Sequence, residues 1–188
     1  QISTDYVFDG KMDVEKAYTE DMMTGPVSAY GRTKLLGEQN AAKAEKYYVL
    51  RTAWLYGLGG KNFVKTMLRL GQERETLGVV FDQIGSPTYA ADLATVIFAA
   101  INSPEWHAGV YHFTNEGVCS WYDFTKAIHR LAGIKDCKVN PLHTEEYPTP
   151  AKRPHYSVLD KSKIKATYGI DIPYWIDSLQ SCISELDF

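Results

Sequence analysis

The apolar positions change period along the chain. Gln1 to Phe8 is rich in β-branched and aromatic residues and predicts a strand running into a loop, with Asp9-Gly10 as its turn. Lys11 to Val27 is polar, contains Gly25-Pro26, and reads as a long loop. Ser28 then opens a helix reaching about Ala44. Tyr47 to Thr52 is a continuous run that suits a strand covered on both faces, as in a parallel sheet. Trp54 to Gly60 reads as a Gly-rich loop. A helix from Asn62 to Leu70 places Phe63, Met67 and Leu70 on one stripe.

Leu77 to Phe81 predicts another strand, and Gly85-Ser86-Pro87-Thr88 a turn. Ala91 to Ile101 is an apolar helix closed by Asn102-Ser103-Pro104, and Gly109 to Thr114 is a strand. Ser120 is a good N-cap for a helix from Trp121 to Leu131, with Gly133 as its stop. Val139 to Leu142 reads as a strand. Pro148, Pro150 and Pro154 stiffen a loop around Arg153, and Asp160 and Pro173 introduce two final helices. Early strand–helix alternation followed by helices and loops predicts an α/β sheet part and a smaller α-rich lobe.

Composition narrows the function. The 188 residues carry 20 Lys+Arg against 23 Asp+Glu, and this slight acidity gives no basic surplus for nucleic acid. Apolar residues at 45% allow a sizeable core without staples. Cys119, Cys137 and Cys182 are an odd number at wide spacing, which argues against a disulfide framework and for a reducing, cytoplasmic setting. The apolar run from Leu93 to Ile101 is too short to span a bilayer, so no membrane partner is expected. The 13 Tyr and 4 Trp predict a cleft built from rings with polar handles. His107, His112, His129, His143 and His155 are scattered along the sequence, and no metal cluster is expected from them. The chain opens on what reads as the end of a buried strand, so a preceding segment is expected.

The sharpest constellation is Tyr30-x-x-x-Lys34, which puts a phenol and an ammonium one helical turn apart on one face. A free phenol titrates near pH ~10. A neighbouring cation favours the phenolate, which would suit proton delivery to a carbonyl oxygen without a metal. Alone the pattern is common, and a half-exposed helical pair is its ordinary meaning. Hydroxyls at Ser3 and Thr4 could complete such a site.

The neighbourhood changes those odds. Ser3-Thr4-Asp5-Tyr6-Val7-Phe8-Asp9-Gly10 and Pro26-Val27-Ser28-Ala29-Tyr30-Gly31-Arg32-Thr33-Lys34-Leu35-Leu36-Gly37-Glu38 resemble the extended short-chain dehydrogenase/reductase superfamily, and within it the dTDP-4-dehydrorhamnose reductase family. Arg51 to Gly57, Asn62 to Met67, Asp82 to Thr88, Cys119 to Phe124 and Pro150 to Pro154 fit the same pattern, so the likeness covers essentially the whole chain. It implies part of a doubly wound, Rossmann-like parallel sheet. Residues 1–57 would be the C-terminal half of that domain, 86–114 its return helix and strand, and 58–85 with 115–188 the substrate-binding lobe.

The resemblance also implies roles. Thr4 would hydrogen-bond the reacting oxygen, and Tyr30 would protonate it as hydride arrives. Lys34 would hold the nicotinamide ribose. Thr4, Asp5, Trp54, Asn62 and Arg153 would bind the dTDP-sugar, with Trp54 as an apolar wall and Arg153 as a diphosphate clamp. The helix beginning near Asn62 would offer free backbone N–H groups to a phosphate. Trp121, at a helix start, reads as core rather than contact. The implied cofactor is NADPH or NADH. The family's Gly-rich phosphate loop has no counterpart in this chain, so most of the cofactor site is expected outside it. The family also allows Mg²⁺, for which the sequence shows no ligand set. A homodimer, or pairing through an exposed sheet edge, is expected. Two other readings fit the same residues: a non-catalytic relative like the regulatory subunit of methionine adenosyltransferase, and a sugar-nucleotide epimerase or dehydratase.

Overall fold

A computed structural model describes residues 1–13, 16–149, 153–186 and 188 of the chain. Pro150, Ala151 and Lys152 of the proline-rich loop therefore lie outside the described residues. Nine strands and six α-helices follow in order among the described residues. They are β1 (Ile2–Thr4), α1 (Ala29–Ala41), β2 (Tyr48–Thr52), β3 (Leu55–Tyr56), α2 (Phe63–Glu73), β4 (Thr76–Val80), β5 (Ile84–Gly85), β6 (Thr88–Tyr89), α3 (Ala90–Ile101), β7 (Gly109–His112), β8 (Cys119–Ser120), α4 (Trp121–Leu131), β9 (Lys138–Leu142), α5 (Ser162–Tyr168) and α6 (Trp175–Ser184). Short 3-10 turns occupy Asp5–Val7 and Thr144–Glu146.

The central sheet has the order β1-β2-β7, all parallel, with Thr4 opposite Thr52 and Arg51 opposite His112. Val49 and Leu50 are fully buried, as the unbroken run from Tyr47 predicts for a strand covered on both faces. Helix α1 crosses from β1 to β2, so Thr4 and Thr52 end together at the carboxyl edge of the sheet. In doubly wound folds that edge is where ligands sit. The outer side of β1 is unpaired among the described residues.

The second lobe is built on the parallel pair β4–β9, with Val80 opposite Leu142. Its core joins α2, α4 and α6 through Val64, Leu68, Phe124, Ile128 and Leu179. Capping explains two of these helix starts. The Asn62 side chain accepts from the Lys65 N–H (3.1 Å), and Ser120 with Asp123 forms a capping box before α4.

The segment carrying Arg153 is held between the lobes. Ile84 N–H donates to His155 O (2.7 Å) and Ser157 N–H to Ile84 O (3.0 Å). Farther on, Tyr18 N–H donates to Val158 O (2.8 Å). The loop expected between Trp54 and Gly60 contains β3, which pairs in parallel with β6, so the Gly85–Thr88 turn is flanked by two short strands. Helix α1 ends at Ala41, short of Ala44.

Candidate active site

A cleft of about 490 Å³ opens at the carboxyl edge of the central sheet. Thr4, Asp5, Tyr30, Lys34, Trp54 and Arg153 line it. These come from the end of β1 and the turn after it, two turns of α1, the link between β2 and β3 and the inter-lobe segment, so the fold gathers residues far apart in sequence. Asn62 lines neither this cleft nor the pocket beside it. Its amide is committed to capping α2 and to Gly57 O (2.7 Å), because the loop carbonyls before the helix need a donor. Ser3 lines the cleft, but its hydroxyl is committed to Glu38 inside the protein.

Helix α1 approaches the 3-10 turn closely because Gly31 follows Tyr30. A Cβ there would lie 2.1 Å from Tyr6 O. Tyr30 itself is 55% exposed and packs edge-on against Tyr6, with ring centroids 5.9 Å apart. Its hydroxyl has no hydrogen-bond partner among the described residues. Lys34 Nζ donates to Ile2 O (2.7 Å), which leaves two of the ammonium's three donors facing outward.

Thr4 departs from the expected geometry. Its hydroxyl donates to Asp5 Oδ1 (3.0 Å) and accepts from Tyr6 N–H (3.3 Å). An ionised carboxylate only accepts, so Thr4 offers the cleft a lone pair rather than a proton. Asp5 is 3% exposed, and its Oδ2 is buried without a hydrogen-bond partner. Burial pushes its carboxyl up to about 6, against the opposing pull of the Ser157 and Thr4 hydroxyls. Burial and the Asp5 charge push the Tyr6 phenol up to about 12, so that ring stays neutral.

Trp54 sits at φ 49°, the left-handed region that a bulky residue rarely enters. Its indole is stacked on Trp121 with centroids 3.6 Å apart and planes at 10°. Gly85 makes room, since a Cβ there would lie 2.8 Å from the Trp54 ring. Trp121 thus packs on the lobe core and also lines the cleft, a contact its place at a helix start did not reveal. Tyr6 and Thr52 are cleft residues the sequence reading missed. Tyr6 could have been suspected from its place two residues after Thr4.

A second pocket, of about 240 Å³, adjoins the cleft. Phe63, Met67, Leu70, Val79 and Tyr147 give it an apolar and aromatic lining, and Trp121 and Arg153 line both spaces. A larger cavity of about 540 Å³ lies by α4 and α6, and none of Thr4, Tyr30, Lys34 or Arg153 reaches it. The residues singled out in the sequence therefore meet in the cleft and not in the larger space. No helix among the described residues is long and apolar enough to cross a membrane.

The family model described as the RmlD substrate binding domain matches residues 1–188. The chain belongs to that family. It is 42% identical to the spore coat polysaccharide biosynthesis protein SpsK of Bacillus subtilis, covering 98% of this chain and 63% of the relative. A solved dTDP-4-dehydrorhamnose reductase from Clostridium acetobutylicum superposes with a TM-score of 0.92 at 50% identity, covering 98% of this chain and 64% of that one. A reductase of the same name from Bacillus anthracis, solved in complex with NADP, gives a TM-score of 0.92 at 43% identity over the same shares. These likenesses establish the Rossmann-like α/β fold for this member of the RmlD family. The chain spans about 63–64% of the length of the first curated relatives it matches.

Proposed function

We propose that this chain carries the catalytic and substrate-binding part of an NADPH-dependent dTDP-4-dehydrorhamnose reductase, which reduces the C4 ketone of dTDP-4-dehydro-L-rhamnose to the alcohol of dTDP-L-rhamnose. The observation that carries the reading is the convergence of Thr4, Tyr30, Lys34, Trp54 and Arg153 on one cleft. Support comes from relatives named for this reaction at about 40% identity and from the NADP-bound neighbour.

The cofactor fits the residues present at its nicotinamide end. The outward donors of Lys34 suit a ribose diol, and the unpartnered Tyr30 hydroxyl lies beside them on the same helix face. When bound, the reduced nicotinamide supplies a hydride to the carbonyl carbon. Tyr30 delivers the proton to the carbonyl oxygen, so hydride and proton together make the alcohol. Thr4 accepts a hydrogen bond from Tyr30 or a sugar hydroxyl and holds it in place. The Trp54–Trp121 stack forms a dry wall against the sugar ring. Arg153, where the two spaces meet, grips the diphosphate, and the aromatic pocket beyond takes the nucleoside.

A cytoplasmic setting and a dTDP-sugar partner belong to this proposal, as does pairing through the free side of β1. The intact Tyr30/Lys34 pair speaks against a non-catalytic regulatory subunit. The UDP-glucuronic acid 4-epimerase structures share only the fold, at 22% identity. The test is NADPH oxidation by the chain in its full-length context. Turnover should require dTDP-4-dehydro-L-rhamnose and fall roughly 10²–10⁴-fold in Tyr30→Phe. Wild-type turnover in that variant would refute the assignment.

A further inference from the structure

Of the histidines scattered in the sequence, the fold sets one, His143, beside two carboxylates. Asp82 follows β4 and His143 follows β9, and these strands are parallel neighbours, so both residues emerge at the same end. Glu145 lies two residues after His143, within the 3-10 turn Thr144–Glu146. The ligand atoms of Asp82, His143 and Glu145 all lie within 4.8 Å of one another.

We propose that these three side chains form a binding site for a divalent transition ion, with Zn²⁺ as the best-suited occupant. His143 Nδ1 lies 3.7 Å from Asp82 Oδ2, too far for a hydrogen bond. Two ligands at about 2.0–2.2 Å from one tetrahedral ion stand roughly 3.3–3.5 Å apart, so a small closure seats an ion between them. One imidazole and two carboxylates suit zinc or manganese better than a hard, all-oxygen ion.

The surroundings hold the ligands in place. Thr144 donates to Asp82 from both its N–H (3.1 Å to Oδ2) and its hydroxyl (2.7 Å to Oδ1), the outer support that oriented metal carboxylates have. Phe81 meets the His143 ring edge-on at 4.8 Å. Glu146 accepts from the His143 N–H (2.6 Å), which fixes the turn. Glu145 makes no hydrogen bond or ion pair among the described residues. His143 is exposed, so an ion enters from solvent and water completes its shell. Such an ion ties the end of β4 to the turn from which the chain leads to Tyr147, Thr149 and Arg153 at the nucleoside pocket.

Calorimetric titration of the purified chain with Zn²⁺ tests the site. One ion per chain should bind in the micromolar range, and His143→Ala, Asp82→Asn and Glu145→Gln should each weaken it roughly tenfold or more. Circular dichroism should match across the variants, with the exposed His143 and Glu145 changes as the clean pair. Three results overturn the site: no binding below about 100 µM Zn²⁺, binding that survives His143→Ala, or binding that needs His143 but ignores both carboxylates, the mark of a lone surface imidazole.

Discussion

Arg51 and Glu38 meet as a two-pronged ion pair inside the protein, Nη2 to Oε2 at 2.7 Å and Nε to Oε1 at 2.9 Å, with each side chain about 5% exposed. Ser3 donates a hydroxyl to the same carboxylate. On the other side, Arg51 Nη1 lies 3.4 Å from His112 Nε2, and His112 Nδ1 lies 3.1 Å from Tyr18 O. Burial and the Arg51 charge push the His112 imidazole down to about 3, so it is neutral and accepts from Arg51 while donating to Tyr18. Glu38 lies one turn beyond Lys34 on α1. The pair therefore fixes the rotation of the helix that aims Tyr30 and Lys34 and ties it to β2, while the Ser3 hydroxyl ties the same carboxylate to β1, the strand carrying Thr4.

Breaking this pair on one side should be costly. Glu38→Gln leaves a buried guanidinium without its counter-charge, and urea unfolding should show a loss of roughly 3–5 kcal/mol. Replacing both residues by leucine should cost less, because no charge is then stranded. A loss below about 1 kcal/mol for Glu38→Gln, the scale of an exposed pair, would show that the network does not hold α1.

The sequence carried a signal for this pair that its reading did not use. Arg51 interrupts the apolar run Val49-Leu50, and a charge in a strand covered on both faces must find a partner. Element types and order were legible because each long segment had a clear period or cap. The Gly85–Thr88 stretch was harder, since two-residue strands have no period to read. At the site, α1 places Tyr30 and Lys34 on one face by spacing alone. Asn62 was misplaced because a residue that caps a helix and one that binds a ligand at its start have the same identity and position. The Thr4–Asp5 bond and the approach of His143 to Asp82 depend on tertiary packing.

Asp5 makes stability depend on pH in an unusual direction. A carboxyl whose pKa rises from 3.8 to about 6 on folding favours the folded state in its protonated form. Its contribution is full below about pH 4 and is lost as pH rises through about 6. Wild-type stability relative to Asp5→Asn should therefore fall by roughly 2–3 kcal/mol between pH 4 and pH 7. Chemical unfolding of both proteins at several pH values measures this. A pH-independent difference would mean that Asp5 does not titrate in that range.

Gly85 should matter for the proposed sugar wall although it does not itself line the cleft. The methyl of Gly85→Ala would lie 2.8 Å from the Trp54 indole and must push it off Trp121. Overpacking of this kind costs typically 1–3 kcal/mol. Tryptophan fluorescence should shift, and KM for the sugar nucleotide should rise in the full-length context. Unchanged emission and KM would show that the stack yields without consequence.

Arg153→Ala should raise KM for the sugar nucleotide with a smaller change in kcat, the pattern of lost uniform binding. The guanidinium lines both the cleft and the aromatic pocket, so under the proposed role its loss should affect the grip on the diphosphate rather than proton transfer. A kcat loss as large as that of Tyr30→Phe, with KM unchanged, would place Arg153 in the chemistry instead.

The last prediction concerns cofactor affinity of the 188-residue chain by itself. Lys34 and Tyr30 offer hydrogen bonds to the nicotinamide end alone, each worth a net of about 1 kcal/mol. Immobilising a dinucleotide costs roughly 4 kcal/mol or more before any contact is counted. Anchoring the pyrophosphate normally falls to a Gly-rich turn at a helix N-terminus. No G-x-x-G-x-x-G stands in this sequence, and the start of α2 is already capped by Asn62. The contacts available here cannot offset the cost, so calorimetry should find no NADPH binding at micromolar concentration. The proposed pocket and clamp for the sugar nucleotide lie within the chain, so dTDP should still bind, weakly and in an Arg153-dependent way. A micromolar dissociation constant for NADPH would mean that the pyrophosphate has a seat on this chain, and the reading of Lys34 and Tyr30 as its nicotinamide end would have to be redrawn around it.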